Sequence, residues 1–164
     1  MELIKNREYL RSVVFGIEDS LVSTTGLIAG ISVASDNRQT VLLGGLIAII
    51  VEAVSMGAGE YLSDDSISEF DKLKRHKDKP RVSGMLMLVS YFCAGLIPLA
   101  PVFITDYPTS LWYSVGLALI GLFALGYVKG RVLKTNPWRG GLKILFVGGL
   151  ATAIGVLVGY FFKI

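Results

Sequence analysis

Residues 41–65 read Val-Leu-Leu-Gly-Gly-Leu-Ile-Ala-Ile-Ile-Val-Glu-Ala-Val-Ser-Met-Gly-Ala-Gly-Glu-Tyr-Leu-Ser-Asp-Asp. The stretch is long and apolar enough for a helix that crosses a bilayer, yet it contains Glu52 and Glu60, with Met56 between them. The three residues follow one another at intervals of one helical turn, so a helix places them along one slowly drifting stripe. A carboxylate at the middle of a bilayer costs on the order of 3 kcal/mol even on the most lenient scale. A bound cation or proton would offset that cost, so the stretch predicts a cation site on a transmembrane helix.

Apolar blocks of this kind recur along the chain. Of its 164 residues, 52% are hydrophobic and only 18% are charged, which is unusual for a soluble domain. The blocks predict an all-α polytopic membrane protein, a single transmembrane domain whose five transmembrane helices lie at roughly 13–34, 41–63, 82–104, 110–129 and 141–162. Residues 1–12 are expected to form a short amphipathic segment on the membrane surface. Pro98 and Pro101 are expected to kink or break the third helix near its far end.

The positive charges predict the orientation of these helices. With the N-terminus in the cytoplasm, only Arg38 and Lys163 of the 16 lysines and arginines fall on the outer side. Lysine and arginine are enriched in the cytoplasmic connections of membrane proteins. We therefore expect a cytoplasmic N-terminus, an external C-terminus, and a short basic cytoplasmic connection at residues 64–81.

The donor atoms on the second helix indicate which ions it would bind. The carboxylates of Glu52 and Glu60 alone would suit magnesium, calcium or manganese, whereas a thioether from Met56 shifts the preference toward first-row transition ions such as Fe(II). The alternative is that Met56 is apolar filler and that Glu60 lies at the level of the lipid headgroups.

Two adjacent acids, Glu18 and Asp19, provide further candidate ligands on the first helix. Neighbouring residues on a helix point about 100° apart, so only one of them needs to face the interior. Asp19 shares a face with Ser23 and Gly26 and is predicted as the inward ligand. Glu18 is the weaker candidate, because an interfacial position near the cytoplasmic boundary explains it equally well.

A further group of acids and the single histidine belong to the basic connection: Asp64, Asp65, Glu69, Asp71 and His76. The carboxylates of Asp65 and Glu69 are one helical turn apart and could collect cations at the mouth of a pathway. The many lysines nearby favour the alternative of a solvated, salt-bridged connector.

The residue types that enzymes commonly use do not form a catalytic group in this sequence. The single histidine lies in the connection, the single cysteine, Cys93, has no polar partner in the sequence, and the chain has no glycine-rich phosphate loop. Without a nucleophile and base pair, the sequence predicts no enzyme and no resident cofactor; the alternative is an enzyme that uses a carboxylate–metal site.

Four motifs carry a resemblance to a known family, and they span nearly the whole chain. Residues 18–30, Glu-Asp-Ser-Leu-Val-Ser-Thr-Thr-Gly-Leu-Ile-Ala-Gly, resemble the first-helix motif of the vacuolar iron transporter family. Residues 55–63, Ser-Met-Gly-Ala-Gly-Glu-Tyr-Leu-Ser, are similar to its second-helix signature. Residues 97–101, Ile-Pro-Leu-Ala-Pro, and 138–143, Trp-Arg-Gly-Gly-Leu-Lys, resemble its third-helix proline pair and the start of its fifth helix.

The resemblance implies a five-helix homodimer that exchanges Fe(II) or Mn(II) for protons. In that family the pathway lies at the dimer interface and is lined by the first and second helices. The family's first-helix acid falls on Asp19, its second-helix methionine on Met56 and its signature glutamate on Glu60. Two departures stand out. The connection 64–81 is too short for the family's cytoplasmic metal-binding domain, and Glu52 stands where the family often has a small residue.

These observations together predict a proton-coupled transporter that moves Fe(II) or Mn(II) out of the cytoplasm. Asp19, Glu52 and Met56 would bind the ion near the middle of the membrane, and Glu60 would guide it in. The expected surroundings are a lipid bilayer and a second copy of the chain, with no nucleic acid. The membrane would be the plasma membrane in a prokaryote and a vacuolar-type membrane in a eukaryote. The alternatives are a passive cation channel, or a non-transporting assembly or sensor module whose acids are satisfied by serine and threonine hydroxyls.

Overall fold

Five long helices make up the described part of the chain. The structure, a computed structural model, describes residues 7–35, 37–70 and 79–163. The helices in chain order are α1 (Arg7–Ala34), α2 (Arg38–Phe70), α3 (Pro80–Ile104), α4 (Thr109–Val132) and α5 (Pro137–Phe161). Each is long and apolar enough to cross a membrane, and the described ranges contain no strand. The prediction of an all-α protein with five membrane-spanning helices is therefore confirmed.

The start of the chain differs from the expectation of a separate surface segment. Residues 1–6 lie outside the described residues, but 7–12 form the first turns of α1 and continue directly into the first span. Arg11 and Ser12, in the first turns of α1, both form hydrogen bonds to Glu60 of α2. These contacts pack the first turns of α1 against α2.

The second helix extends beyond the apolar stretch at 41–63 and includes the first residues of the predicted connection. It begins after Asn37, whose side-chain oxygen accepts hydrogen bonds from the backbone N–H groups of Gln39 at 2.8 Å and Thr40 at 3.3 Å. This is the usual way to satisfy free N–H groups at a helix start. At its other end α2 continues to Phe70. Residues 71–78, which include Asp71 and His76 of the predicted basic connection, lie outside the described residues.

The third helix continues through both of its prolines. Pro98 and Pro101 lie inside α3, so the helix does not break there, and a kink at these prolines stays a prediction. Each proline removes only one backbone donor, which a helix packed in a membrane bundle can tolerate. Arg38 binds the free carbonyl groups where α3 ends: its Nε donates to the carbonyl oxygen of Val102 at 2.7 Å and its second nitrogen donates to that of Phe103.

The first helix is the centre of the bundle and contacts each of the other four. It packs most closely against α5, where a Cβ atom at Gly30 would lie 2.8 Å from the carbonyl oxygen of Gly155. A Cβ atom at Gly155 would overlap the backbone of Gly26. Only glycine allows two helix backbones to approach this closely. Two apolar clusters of buried residues support the arrangement: Ile28, Val41, Ile49, Leu99 and Val102, and Leu21, Ala94, Leu122 and Ile144.

The two ends of the bundle differ in charge. We call the end where α1, α3 and α5 begin and where α2 and α4 finish the basic end. It carries most of the described lysines and arginines: Arg7, Arg11, Lys79, Arg81, Lys129, Arg131, Lys134, Arg139 and Lys143. The opposite end carries Arg38 and Lys163. This distribution is the one on which the predicted orientation depends.

Candidate metal site

Two hydroxyl groups contact the carboxylate of Glu52 in a partly buried position. Its Oε2 atom accepts a hydrogen bond from Ser23 Oγ at 3.1 Å and another from the Tyr91 hydroxyl. The Ser23 and Tyr91 oxygens are themselves 2.6 Å apart. The three residues come from α2, α1 and α3, so this carboxylate lies where three helices meet.

Tyr91 belongs to this site although it was not among the residues predicted from the sequence. It is fully buried, and Ser20 Oγ donates to its backbone carbonyl oxygen at 2.6 Å. A tyrosine in an apolar span indicates that a hydrogen-bond partner lies nearby, because a buried hydroxyl needs one. The sequence does not say which acid that partner is, since the answer depends on how α2 and α3 face each other.

Asp19 is half-buried on α1, one turn before Ser23. It lies within electrostatic range of the carboxylates of Glu52 and Glu18. Among the described residues it forms no hydrogen bond, and no lysine or arginine pairs with either Asp19 or Glu52. Two acids in an apolar bundle with no paired cation are a natural binding position for a positive ion.

Met56 is partly buried on α2, one turn beyond Glu52. Neither of the two apolar clusters includes it. Its neighbour Gly57 packs against α3, where a Cβ atom would lie 2.7 Å from the Cβ atom of Leu88. The structure therefore leaves both the ligand role of the sulfur and its alternative as apolar filler open to experiment.

Glu60 lies at the basic end, and its partners include a positive charge. Its Oε1 atom accepts from Ser12 Oγ at 2.6 Å and from an Arg11 guanidinium nitrogen at 3.2 Å. Eight residues of helix separate it from Glu52, which corresponds to about 12 Å along the axis. The sequence reasoning placed Glu60 at the mouth of the pathway but missed Arg11, because that contact depends on the rotation of α1.

Glu18 also lies toward the basic end. It lines a cavity of about 840 Å³ between α1, α2 and the end of α4. The same cavity is lined by Glu60 and by three positively charged residues, Arg7, Arg11 and Lys129. Glu18 therefore faces a charged, open space, whereas Glu52 has two hydroxyl partners.

The comparison with known families adds to this geometry. The sequence profile of the VIT family matches residues 10–79 and 67–160, which is nearly the whole chain. The chain belongs to the VIT family. Vacuolar iron transporter 1 of Oryza sativa subsp. japonica is 26% identical over 207 residues, covering 89% of this chain and 82% of the rice protein. Vacuolar iron transporter homolog 2 of Arabidopsis thaliana is 26% identical over 161 residues, covering 92% and 82%.

The lengths of these alignments distinguish two kinds of VIT relative. The alignment with the rice protein spans 207 residues, more than the 164 of this chain. The same holds for vacuolar iron transporter cccA of Arthroderma benhamiae, which is 25% identical over 222 residues and covers 92% of this chain and 78% of the fungal protein. Both relatives therefore contain residues with no counterpart here. The two matches to the family profile meet at 67–79, within the connection that the sequence predicts to be short.

The described part of one copy contains no compact group of three candidate metal ligands. Among residues 7–35, 37–70 and 79–163, no three histidine, cysteine, aspartate or glutamate side chains converge closely enough to hold an ion. One face of α1 is also left open beside α5. A second cavity of about 490 Å³ lies there, lined by Ser23, Gly26, Gly30 and apolar residues of both helices. Ser23, which donates to Glu52, therefore lies on a face that the described chain does not cover.

Proposed function

We propose that this VIT-family protein transports divalent metal ions across its membrane. The observation that carries the proposal is the pair Asp19 and Glu52, two acids within the apolar bundle that no described lysine or arginine neutralises. A transported cation gives such acids a function and offsets the cost of burying them. Relatives named vacuolar iron transporters support the same conclusion. We expect no enzymatic activity and no resident cofactor.

The donor atoms favour Fe(II), with Mn(II) as a second substrate. Carboxylate oxygens from Asp19 and Glu52 accept either ion, and the thioether of Met56 adds a softer donor that suits Fe(II) better. The direction of transport follows from charge. If the basic end faces the cytoplasm, ions that enter between α1 and α2 would leave on the side of Arg38.

A homodimer would complete the site. One copy offers two acids near mid-membrane, whereas Fe(II) and Mn(II) usually take more ligands than two carboxylates provide. The side of α1 that lines the open cavity beside α5, with Ser23, Leu27 and Ile31, is the surface on which a helix of a second copy would pack. A second copy docked there would bring its own Asp19 and Met56 to the same position.

Exchange of metal for protons would need no residues beyond the carboxylates that bind the metal. Metal binding requires ionised carboxylates, so metal and protons compete for the same oxygen atoms. The hydroxyls of Ser23 and Tyr91 keep the Glu52 side chain in place when the ion has left. Asp19 and Glu52 would then take up protons on the side of release and return them on the other.

Uptake into liposomes tests the proposal. Purified protein should transport Fe(II) and Mn(II), and Asp19→Asn and Glu52→Gln should each abolish transport while leaving the protein folded, because a neutral amide is cheaper to bury. Glu69→Gln is the matched control, since Glu69 is an exposed acid on the same helix as Glu52. Loss of transport in the control, or full transport in both site variants, would contradict the proposal.

One observation favours a second candidate, a non-transporting membrane module. Glu52 is already satisfied by two hydroxyls, Ser23 and Tyr91, as such a module would require. The same assay separates the two functions, because a module of this kind would show no metal flux above that of empty liposomes. A passive channel would show metal flux without proton movement.

A further inference from the structure

Arg11 lies among three carboxylates at the basic end of the bundle. One terminal guanidinium nitrogen is 3.2 Å from Glu60 Oε1 and 3.9 Å from Asp64 Oδ1. Its Nε atom is 3.5 Å from Glu8 Oε2 on the same helix. Ser12 Oγ donates to the same Glu60 oxygen at 2.6 Å. The guanidinium therefore lies where α1 and α2 meet, and Arg11 and Glu60 both line the cavity of about 840 Å³.

The exposures of these groups show which of them reaches solvent. The side chains of Glu60 and Asp64 are each only 11% exposed, whereas that of Arg11 is 57% exposed. The positive group thus lies on the solvent side of two shielded acids. A cation that approaches Glu60 from the cavity therefore also meets the more exposed guanidinium.

We propose that Arg11 is a tethered cation that masks Glu60, so that an incoming divalent ion must displace its guanidinium to reach this carboxylate. The inference rests on the proposed transport function and assigns Arg11 a positioning role in it. Arginine keeps its charge at any physiological pH, so masking ends by displacement and not by loss of a proton. Glu8, bound through Nε, keeps a partner for the displaced guanidinium. A divalent ion carries twice the charge of the guanidinium and displaces it more readily than a monovalent ion does.

A purely structural ion pair would behave differently from such a mask. If Arg11 only joined α1 to α2, its removal would lower stability and leave the apparent affinity for metal unchanged or weakened. If Arg11 competes with the ion, its removal strengthens apparent affinity. The effect must also act through Glu60, and it must exceed the effect of removing any other positive charge from the same cavity.

Mn(II) measurements on the full-length chain separate these alternatives. Initial rates of uptake into liposomes give KM and kcat, and calorimetry on purified protein gives Kd. A partly exposed ion pair contributes up to about 1 kcal/mol, so Arg11→Met should lower both KM and Kd about five-fold. Arg7→Met is the matched control, because Arg7 lines the same cavity but forms no ion pair within the described residues. Its shift should stay below roughly two-fold, as expected for a screened charge.

Two further variants keep the inference falsifiable. In a Glu60→Gln background, Arg11→Met should change neither KM nor Kd, as a double-mutant cycle requires when one residue acts through the other. Arg11→Lys keeps the charge, so its KM and Kd should lie between those of Arg11→Met and the wild-type protein. If Arg11→Met does not fold, a Kd for Arg11→Lys that is below the wild-type value, by less than about five-fold, decides instead. Equal shifts for Arg11→Met and Arg7→Met, a raised Kd, or a shift that persists without Glu60 would overturn the inference. If neither the wild-type protein nor the variants transport Mn(II) but their Kd values keep the expected order, the transport proposal fails, whereas the inference that Arg11 competes with the ion for Glu60 is supported.

Discussion

The hydroxyl groups around Glu52 are the most specific feature of the site at the scale of single residues. Ser23 and Tyr91 both donate to one carboxylate oxygen, and in the proposed site the second oxygen would bind the ion. Groups that hold a ligand in place commonly change metal affinity as strongly as the ligands themselves. This arrangement makes Tyr91 a positioning residue.

Tyr91→Phe tests that role. The change keeps the ring and removes only the hydroxyl that donates to Glu52, so the bundle should stay folded. We expect the ratio kcat/KM for Fe(II) uptake to fall about ten-fold, the size typical of losing a partner that orients a metal ligand. Tyr113→Phe is the control, because Tyr113 is exposed on α4. Equal effects of the two substitutions would count against the assigned role.

Met56→Leu tests the predicted soft donor. Leucine keeps the size and apolar character of the side chain but removes the sulfur. Uptake of Fe(II) should therefore fall more than uptake of Mn(II), which depends less on a soft ligand. Met85→Leu, at an exposed position on α3, should leave both rates unchanged. An unaltered ranking of the two ions after Met56→Leu would reduce Met56 to a packing residue.

Close backbone contact between α1 and α5 is the decisive feature at the scale of helices. Gly155 and Gly159 press against the backbone of Gly26 and Gly30, and this contact fixes the side of α1 that remains open. Glycines at such contacts tolerate no side chain, so the position of the open face depends on them.

Gly155→Ala should destabilise the bundle. Its new methyl group would overlap the backbone of Gly26, and such overpacking costs about 1–3 kcal/mol. Gly149→Ala is the control on the same helix, since its Cβ atom would meet nothing within 4 Å. Thermal unfolding in detergent should show a lower Tm for Gly155→Ala and an unchanged or higher Tm for Gly149→Ala. The opposite order would disprove the packing described for α1 and α5.

The sequence predicts the helices better than it predicts the contacts between them. Uninterrupted apolar blocks decide the five spans, because a bilayer admits few other structures. The expected break in α3 was wrong, because the helix continues through Pro98 and Pro101 and each proline removes only one backbone hydrogen bond. The pairs Glu52 with Tyr91 and Glu60 with Arg11 depend on how each helix is rotated. In helices apolar on most faces, the residue pattern does not determine that rotation.

At the scale of the whole molecule, the main feature is the face of α1 that no other described helix covers. It runs from the cavity beside Arg7 to the cavity beside Ala34. The homodimer proposal accounts for it, because a second copy would cover the face and double the number of ligands.

Disulfide crosslinking tests the homodimer. In a Cys93→Ala background, Leu27→Cys introduces a single cysteine on the open face of α1. Ile120→Cys introduces one on the exposed side of α4 instead. Oxidation in the membrane should join two copies through position 27 and leave the variant at position 120 monomeric. Crosslinking at 120 alone would place the interface elsewhere and remove the argument for a shared site.

Proton movement during metal uptake tests the central claim, proton-coupled metal transport, most directly. Liposomes that contain the purified protein and a trapped pH indicator are given external Fe(II) or Mn(II). Metal influx should drive protons out and raise the internal pH, an opposing pH gradient should slow it, and Asp19→Asn should abolish both fluxes together. Metal influx with no change in internal pH would identify a channel and contradict the coupling assigned to Asp19 and Glu52.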